Sequence, residues 1–342
     1  MSLPAVQARG KAFLSLNGLR SRPYWPLLSR ATILATGTFA KLVMTLPLKY
    51  KTTGFEENFL RTFDQCKQQS KGFLTIMNHS SLLDDPFAWG VLPWWKFYVR
   101  GGNIRWGLGA DNVCFGTPFL RFFFSLGQVL STTRFGGGPF QGSIDAAIHL
   151  LSKDHQEYPK QRSNWVHIFP EAFVHQVYPP HENSLRYFHW GVSRLILEAD
   201  ECPAVLPIFS HGFDKVIPED RPDDYRLWKQ IGTTIHFGYG KAIDEKLLAE
   251  FREKWRALVE KEQQGHTEPL TDLTDNLKFG PEAQKLRSDL ARYLRDQLGA
   301  VRETMGFPPQ NPEFAEPEFW KPEGGCKDVP VMGIVNKLPH HK

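Results

Sequence analysis

Between Phe73 and Pro86 the chain passes from an apolar run, Phe73-Leu74-Thr75-Ile76-Met77, directly into Asn78-His79-Ser80-Ser81-Leu82-Leu83-Asp84-Asp85-Pro86. The run is short and β-compatible, and reads as a buried strand that delivers Asn78 and His79 to its carboxyl end. Asp-Asp-Pro is a helix start, because aspartate accepts from free backbone N–H groups and proline at the first helical position loses nothing. Asp84 is therefore expected just ahead of a helix. Open α/β sheets place their sites at the carboxyl ends of strands, so His79 and Asp84 are expected to face each other. A carboxylate bonded to one imidazole nitrogen fixes the tautomer and raises the basicity of the other, which can then take a proton from an alcohol.

The same alternation of strand and helix continues down the chain. Strands are expected at Gln128 to Thr132, Trp165 to Phe169, Ala204 to Phe209 and Thr233 to Tyr239. Apolar spacing predicts helices over 117–126, 142–151 and 184–199. This order gives an α/β fold, a central mixed sheet flanked by helices, expected over residues 56–240. Residues 241–305 read as charged helices packed on it, with apolar stripes through Leu248, Trp255, Leu286 and Leu294. From 306 to 342 the chain is rich in Pro and Gly and is expected to be an extended tail.

Charge singles out the beginning of the chain. The net charge is +4, yet residues 1–55 hold eight Lys and Arg and no acid, leaving 33 basic against 37 acidic residues in the remainder. The basic residues are interleaved with Trp25, Leu34, Phe39 and other apolar side chains, a pattern that suits a lipid interface better than a nucleic acid. Residues 1–55 are therefore expected to form a basic amphipathic membrane-associating segment. Arg30 and Lys41 leave only ten uncharged residues between them, where a spanning helix needs about 20. An interfacial helix over Tyr24 to Leu48 is the expectation. Trp94 and Trp95, with Phe97 and Tyr98, form an aromatic cluster that could dock at the polar–apolar boundary of a bilayer or pack in the core. The four cysteines are scattered with no ligand spacing, so neither a disulfide framework nor a metal site is supported.

Two further groups stand at strand ends. Arg134 lies among glycines in a loop after a strand, where the backbone leaves room to approach a phosphate. Glu171 is presented after Pro170 stops the strand at Phe169. There is no G-x-S-x-G elbow, no G-x4-G-K-[ST] loop and no G-x-G-x-x-G, so nucleotide hydrolysis is not indicated.

Four segments in order, Asn78-His79 with Asp84, Arg134-Phe135-Gly136, Phe169-Pro170-Glu171 and Val205-Leu206-Pro207, resemble the motifs of the glycerolipid acyltransferase family. The resemblance implies that family's fold, with His79 as general base and Asp84 orienting it. It also implies a substrate-binding group of Asn78, Arg134 and Glu171. In it Arg134 contacts a lipid phosphate, and Glu171 holds a substrate hydroxyl, anchors the site or pairs with Arg134. Met77 to Pro86, Asn103 to Trp106, Ser125 to Thr132, Trp165 to Glu171 and Arg186 to Gly191 are similar to the fungal members of a cardiolipin-remodelling branch. That branch comprises CoA-independent transacylases that move an acyl chain from phosphatidylcholine or a similar phospholipid to monolysocardiolipin. They are monotopic proteins of mitochondrial inner and outer membranes, on the intermembrane-space side. Exchange of one carboxylic ester for another is nearly isoenergetic, so no cofactor is implied. Ala172 stands where the wider family has glycine, and Phe173-Val174 replaces its Thr-Arg pair, so a phosphate grip of the acyl-CoA type is not implied at this motif. An acyl-CoA-dependent lysophospholipid acyltransferase and a non-catalytic membrane scaffold remain the alternatives. The oligomeric state is left open.

Overall fold

The computed structural model describes residues 2–100, 104–134, 136–152, 165–219, 221 and 223–323. Seven strands form one sheet: β1 (Lys49–Thr53), β2 (Phe73–Met77), β3 (Trp106–Ala110), β4 (Val129–Thr132), β5 (Trp165–Ile168), β6 (Ala204–His211) and β7 (Thr234–Tyr239). Their order is β1-β7-β6-β2-β5-β3-β4, parallel throughout except for the antiparallel pair β6–β7. All five residues of β2 are buried. Leu74 and Ile76 point into one core and Phe73 and Met77 into another, the period-2 alternation of a strand covered on both faces.

Helices fill the two layers. On the Leu74 side lie α1 (Pro4–Ser15), α7 (Gly142–Leu151), α8 (Gly191–Leu197), α10 (Glu245–Gln264), α11 (Asp275–Phe279) and α12 (Pro281–Thr304). On the Phe73 side lie α2 (Trp25–Thr45), α3 (Arg61–Gln69), α4 (Asp84–Phe87) and α9 (Phe213–Val216). Two more, α5 (Asp111–Cys114) and α6 (Pro118–Leu126), bridge β3 and β4. His79, Arg134 and Glu171, expected from the sequence to form the site, follow the carboxyl ends of β2, β4 and β5.

The basic start of the chain is folded onto the sheet's helices. α1 lies along α7 so closely that a Cβ on Gly10 would sit 2.4 Å from the Asp145 carbonyl oxygen. Arg9 bonds Asp145 (2.7 Å) and Asp272 (2.6 Å). Residues 49–53 then enter the sheet as its edge strand. The remaining helix of this segment, α2, keeps one exposed apolar side. It is long and apolar enough to cross a membrane, but it packs on the domain through Ser29, Gly37, Ala40 and Met44. A Cβ on Gly37 would fall 2.1 Å from the Tyr98 ring. Leu27, Phe39, Leu42 and Leu46 are exposed on its other side.

Several expectations change here. Trp25 is buried edge-on against Phe122 and does not face outward, and Leu34 is half-buried against the core. Trp94 is half-buried with its indole N–H on Thr38 Oγ1, and Phe97 and Tyr98 are core residues, so of that cluster Trp95 alone is exposed. The helix expected over 184–199 exists only at Gly191–Leu197. Residues 184–190 are non-helical, with the Arg186 and His189 N–H groups bonded to Glu171 and to the Pro170 carbonyl. The tail is not simply extended: Pro312–Ala315 and Pro317–Glu323 are short 3₁₀ turns that bury Phe314 and Trp320 beside Val177. Residues 324–342 lie outside the described residues.

Candidate active site

Parallel register places the first contact. Ile76 of β2 sits beside Ile168 of β5, so three residues further His79 comes opposite Glu171. The His79 backbone N–H donates to Glu171 Oε2 (2.9 Å), and the Arg186 N–H donates to Oε1 (2.8 Å). Both carboxylate oxygens are thus taken by backbone. Burial pushes the Glu171 carboxyl up to about 7, against the pull of those two N–H groups toward the ionised form.

His79 Nδ1 meets Asp84 Oδ2 at 2.9 Å. Asp84 is wholly buried, and the same oxygen accepts from the Ser80 N–H (2.6 Å) and the Ser81 N–H (2.9 Å). The carboxylate caps the turn that precedes it; Asp84 is itself the first residue of α4, which so begins one place earlier than the sequence suggests. An ionised carboxylate only accepts, so the Nδ1 position carries the proton and Nε2 keeps a free lone pair. The ring stacks on Phe169 with centroids 4.2 Å apart, and Phe169 in turn meets the His167 ring at its edge. His167 bonds Thr75 Oγ1 through Nδ1, and burial drives its pKa down to about 3. A neutral imidazole therefore lies behind the Phe169 ring that supports His79.

His79 opens onto a cavity of about 1190 Å³. Its walls are mainly apolar, including Ile33, Leu82, Leu108, Phe123, Phe124 and Phe173. A volume at or above the usual upper limit for small-molecule sites suits ligands with long chains. Arg134 also lines it, with Nη1 on the Ala172 carbonyl (3.5 Å), Nη2 on Asn112 Oδ1 (3.3 Å), and its guanidinium 5.7 Å from the centre of the Phe173 ring. Burial lowers its pKa from the ordinary arginine value. No bond joins Arg134 to Glu171.

Residues 57–211 match the acyltransferase family model. The chain is 43% identical to tafazzin of Saccharomyces cerevisiae over 97% of its own length and 94% of that protein's. It belongs to the tafazzin family. It is also similar to the protein named taffazin in Dictyostelium discoideum, at 33% identity over 56% of this chain and 62% of the relative. N-acylphosphatidylethanolamine synthase of Arabidopsis thaliana is 32% identical over 55% of this chain and 60% of its own. This tafazzin-family chain is accordingly an acyltransferase with phospholipid substrates.

Asn78, expected to touch substrate, is used otherwise, and Glu171 takes the anchoring one of its expected roles. Asn78 is buried, with Nδ2 donating to the Ser210 carbonyl (2.9 Å) and Oδ1 accepting the Ser210 N–H (2.8 Å), a clamp that ties the end of β2 to β6. Glu171 anchors backbone through both of its oxygens. Phe135 and residues 101–103 lie outside the described residues. The tafazzin-family site also depends on groups with no local signature. Gln176 Nε2 donates to the Ser80 carbonyl (2.7 Å) and the Ile217 carbonyl (3.1 Å). Arg295 of α12 donates to the Leu185 carbonyl (2.8 Å), fixing the segment whose Arg186 N–H holds Glu171.

Ala172 occupies the left-handed region at φ 62°. That conformation suits glycine and costs an L-residue about 1–2 kcal/mol. Ala172→Gly should therefore raise stability by up to about 1 kcal/mol, part of the gain being offset by glycine's greater freedom in the unfolded chain. Chemical denaturation measures it; a lower stability would show that Ala172 is unstrained.

Proposed function

We propose that this tafazzin-family enzyme moves an acyl chain directly from one phospholipid to a lysophospholipid, remodelling cardiolipin without CoA. One observation carries the reading: the His79–Asp84 dyad opens onto an apolar cavity large enough for lipid chains, beside helix faces that expose apolar side chains. His79 Nε2 takes the proton from the free hydroxyl of monolysocardiolipin as that oxygen attacks the ester carbonyl of the donor, such as phosphatidylcholine. The C–O bond to the donor glycerol then breaks, and the imidazolium returns its proton to the departing oxygen. One ester is exchanged for another, so no energy-rich donor is needed. Asp84 keeps the imidazole in register through both proton transfers. Arg134 faces the lipid phosphate in this reading.

The donor is tested by supplying phosphatidylcholine and acyl-CoA together, each with a different label, to pure protein in vesicles. The label reaching monolysocardiolipin should come from phosphatidylcholine; label from acyl-CoA alone would assign the CoA-dependent reaction.

Access to both lipids calls for attachment to one leaflet; family membership supports a mitochondrial membrane, and the intermembrane-space side belongs to this reading. α2 stays with the domain, because Lys41 Nζ donates to the Gly90 and Leu92 carbonyls and Arg30 to the Val99 carbonyl. Its exposed Phe39 and Leu42, with Phe119 and Phe122 of α6 and with Trp95, form the face assigned to the interface. Burying one such side chain is worth about 1.5–3 kcal/mol, and charges are screened by salt while apolar insertion is not. Leu42→Glu with Phe119→Glu should cut liposome flotation by roughly 10²-fold or more at constant fold. Complete release of the wild type by high salt alone would rule out this burial.

A further inference from the structure

The cavity wall holds a carboxyl that the transfer mechanism does not use. Glu219 lies on the loop that follows α9, and its side chain lines the same cavity as His79. Its backbone N–H donates to Gln176 Oε1 (2.8 Å), and the Gln176 amide donates to the Ser80 carbonyl next to His79. One glutamine thus ties the Glu219 backbone to the catalytic turn. Both Glu219 carboxylate oxygens are buried, and neither has a hydrogen-bond partner among the described residues. Burial pushes the group up to about 7, so it can accept or donate near neutral pH. A buried carboxyl without a partner lowers stability, and an apolar side chain would line an apolar wall better. Such a group kept beside a reaction site fits a partner that arrives with the ligand.

We propose that Glu219 reads the lipid headgroup, its carboxyl pairing with a hydroxyl there, so that heads with a glycerol hydroxyl are preferred over heads with no donor. This rests on the reading of the cavity as a phospholipid site. The partner's chemistry follows from the side chain: a carboxyl gains little from an anionic phosphate, whereas a hydroxyl or an ammonium supplies a donor. Choline offers neither. The glycerol that bridges the two phosphates of cardiolipin carries such a hydroxyl. Glu219 is a specificity residue in this scheme, since the proton transfers belong to His79.

The experiment uses the full chain, labelled phosphatidylcholine as donor, and three acceptors of equal chain length: lysophosphatidylglycerol, lysophosphatidylethanolamine and lysophosphatidylcholine. In Glu219→Leu the preference for the glycerol head over the choline head, as a ratio of kcat/KM, should fall about tenfold, through KM, as expected for a lost hydrogen bond to an ionisable group. Glu219→Gln, which keeps an acceptor oxygen, should fall less. The melting temperature of Glu219→Leu should equal or exceed that of the wild type, because no partner is lost. Equal losses on all three acceptors, or a lower melting temperature, would overturn the inference while leaving the phospholipid reading intact. A loss confined to the ethanolamine head would overturn the hydroxyl assignment in favour of an ammonium. Absence of transfer by the wild type to every acceptor would overturn the phospholipid reading, and this inference with it.

Discussion

His79→Ala should yield a folded, membrane-binding protein whose acyl transfer is lower by about 10²–10⁴-fold, the usual contribution of a positioned general base. Folding should survive because Asp84, left without the imidazole, keeps the Ser80 and Ser81 N–H groups on its buried carboxylate. The variant therefore separates chemistry from structure. Asp84→Asn should lose less activity than His79→Ala, since the ring remains, but its amide can no longer accept all three donors and the turn should loosen. Initial rates in vesicles, with flotation and circular dichroism as controls, measure both. Transfer by His79→Ala at the wild-type rate would remove His79 from the mechanism.

Glu171→Ala should be costly to the fold as well as to the activity. It strands the backbone N–H groups of His79 and Arg186 in the interior, each worth about 1–3 kcal/mol when left unpaired. A stability loss of roughly 2–5 kcal/mol is expected, and a His79 displaced by about 1 Å should lose on the order of 10²-fold in rate. Glu171→Gln should fall between, because an amide offers one acceptor where two donors converge. Arg134 makes no bond to Glu171, so a double-mutant cycle between them should show little coupling in stability without lipid. A Glu171→Ala protein as stable as wild type but inactive would return Glu171 to the role of holding a substrate hydroxyl.

What the sequence conveyed well were features repeated in register along neighbouring strands. Two apolar runs, each ending in polar groups, brought His79 and Glu171 side by side once paired in parallel. Two strands were illegible for physical reasons. β1 is an edge strand reading Lys-Tyr-Lys-Thr-Thr, where lysines blunt an exposed edge and erase the apolar pattern. β3 contains two glycines, and a Cβ on Gly109 would stand 2.7 Å from the Val129 side chain. In α2 both faces are apolar, so composition could not tell that Trp25 turns inward and Phe39 outward. Gln176 and Arg295 act on carbonyls 96 and 110 residues away, a distance over which sequence carries no local trace. The resemblance placed Asn78 and Glu171 among the substrate-binding groups, with anchoring as one alternative for Glu171, and strand ends commonly expose polar groups. Here the ends of β6 and the segment at Arg186 close over them first.

Reversible ester exchange between lipids is the central claim, and its most direct measurement is label movement in both directions with no CoA present. Pure protein would be given vesicles containing cardiolipin labelled in its acyl chains and unlabelled lysophosphatidylcholine, and separately vesicles with labelled phosphatidylcholine and monolysocardiolipin. A nearly isoenergetic transfer through His79 predicts that label crosses from either side and reaches the same final distribution, and that His79→Ala slows it by the same factor of about 10²–10⁴ in both directions. Transfer that runs one way only, or that begins only when an acyl-CoA is added, would contradict it.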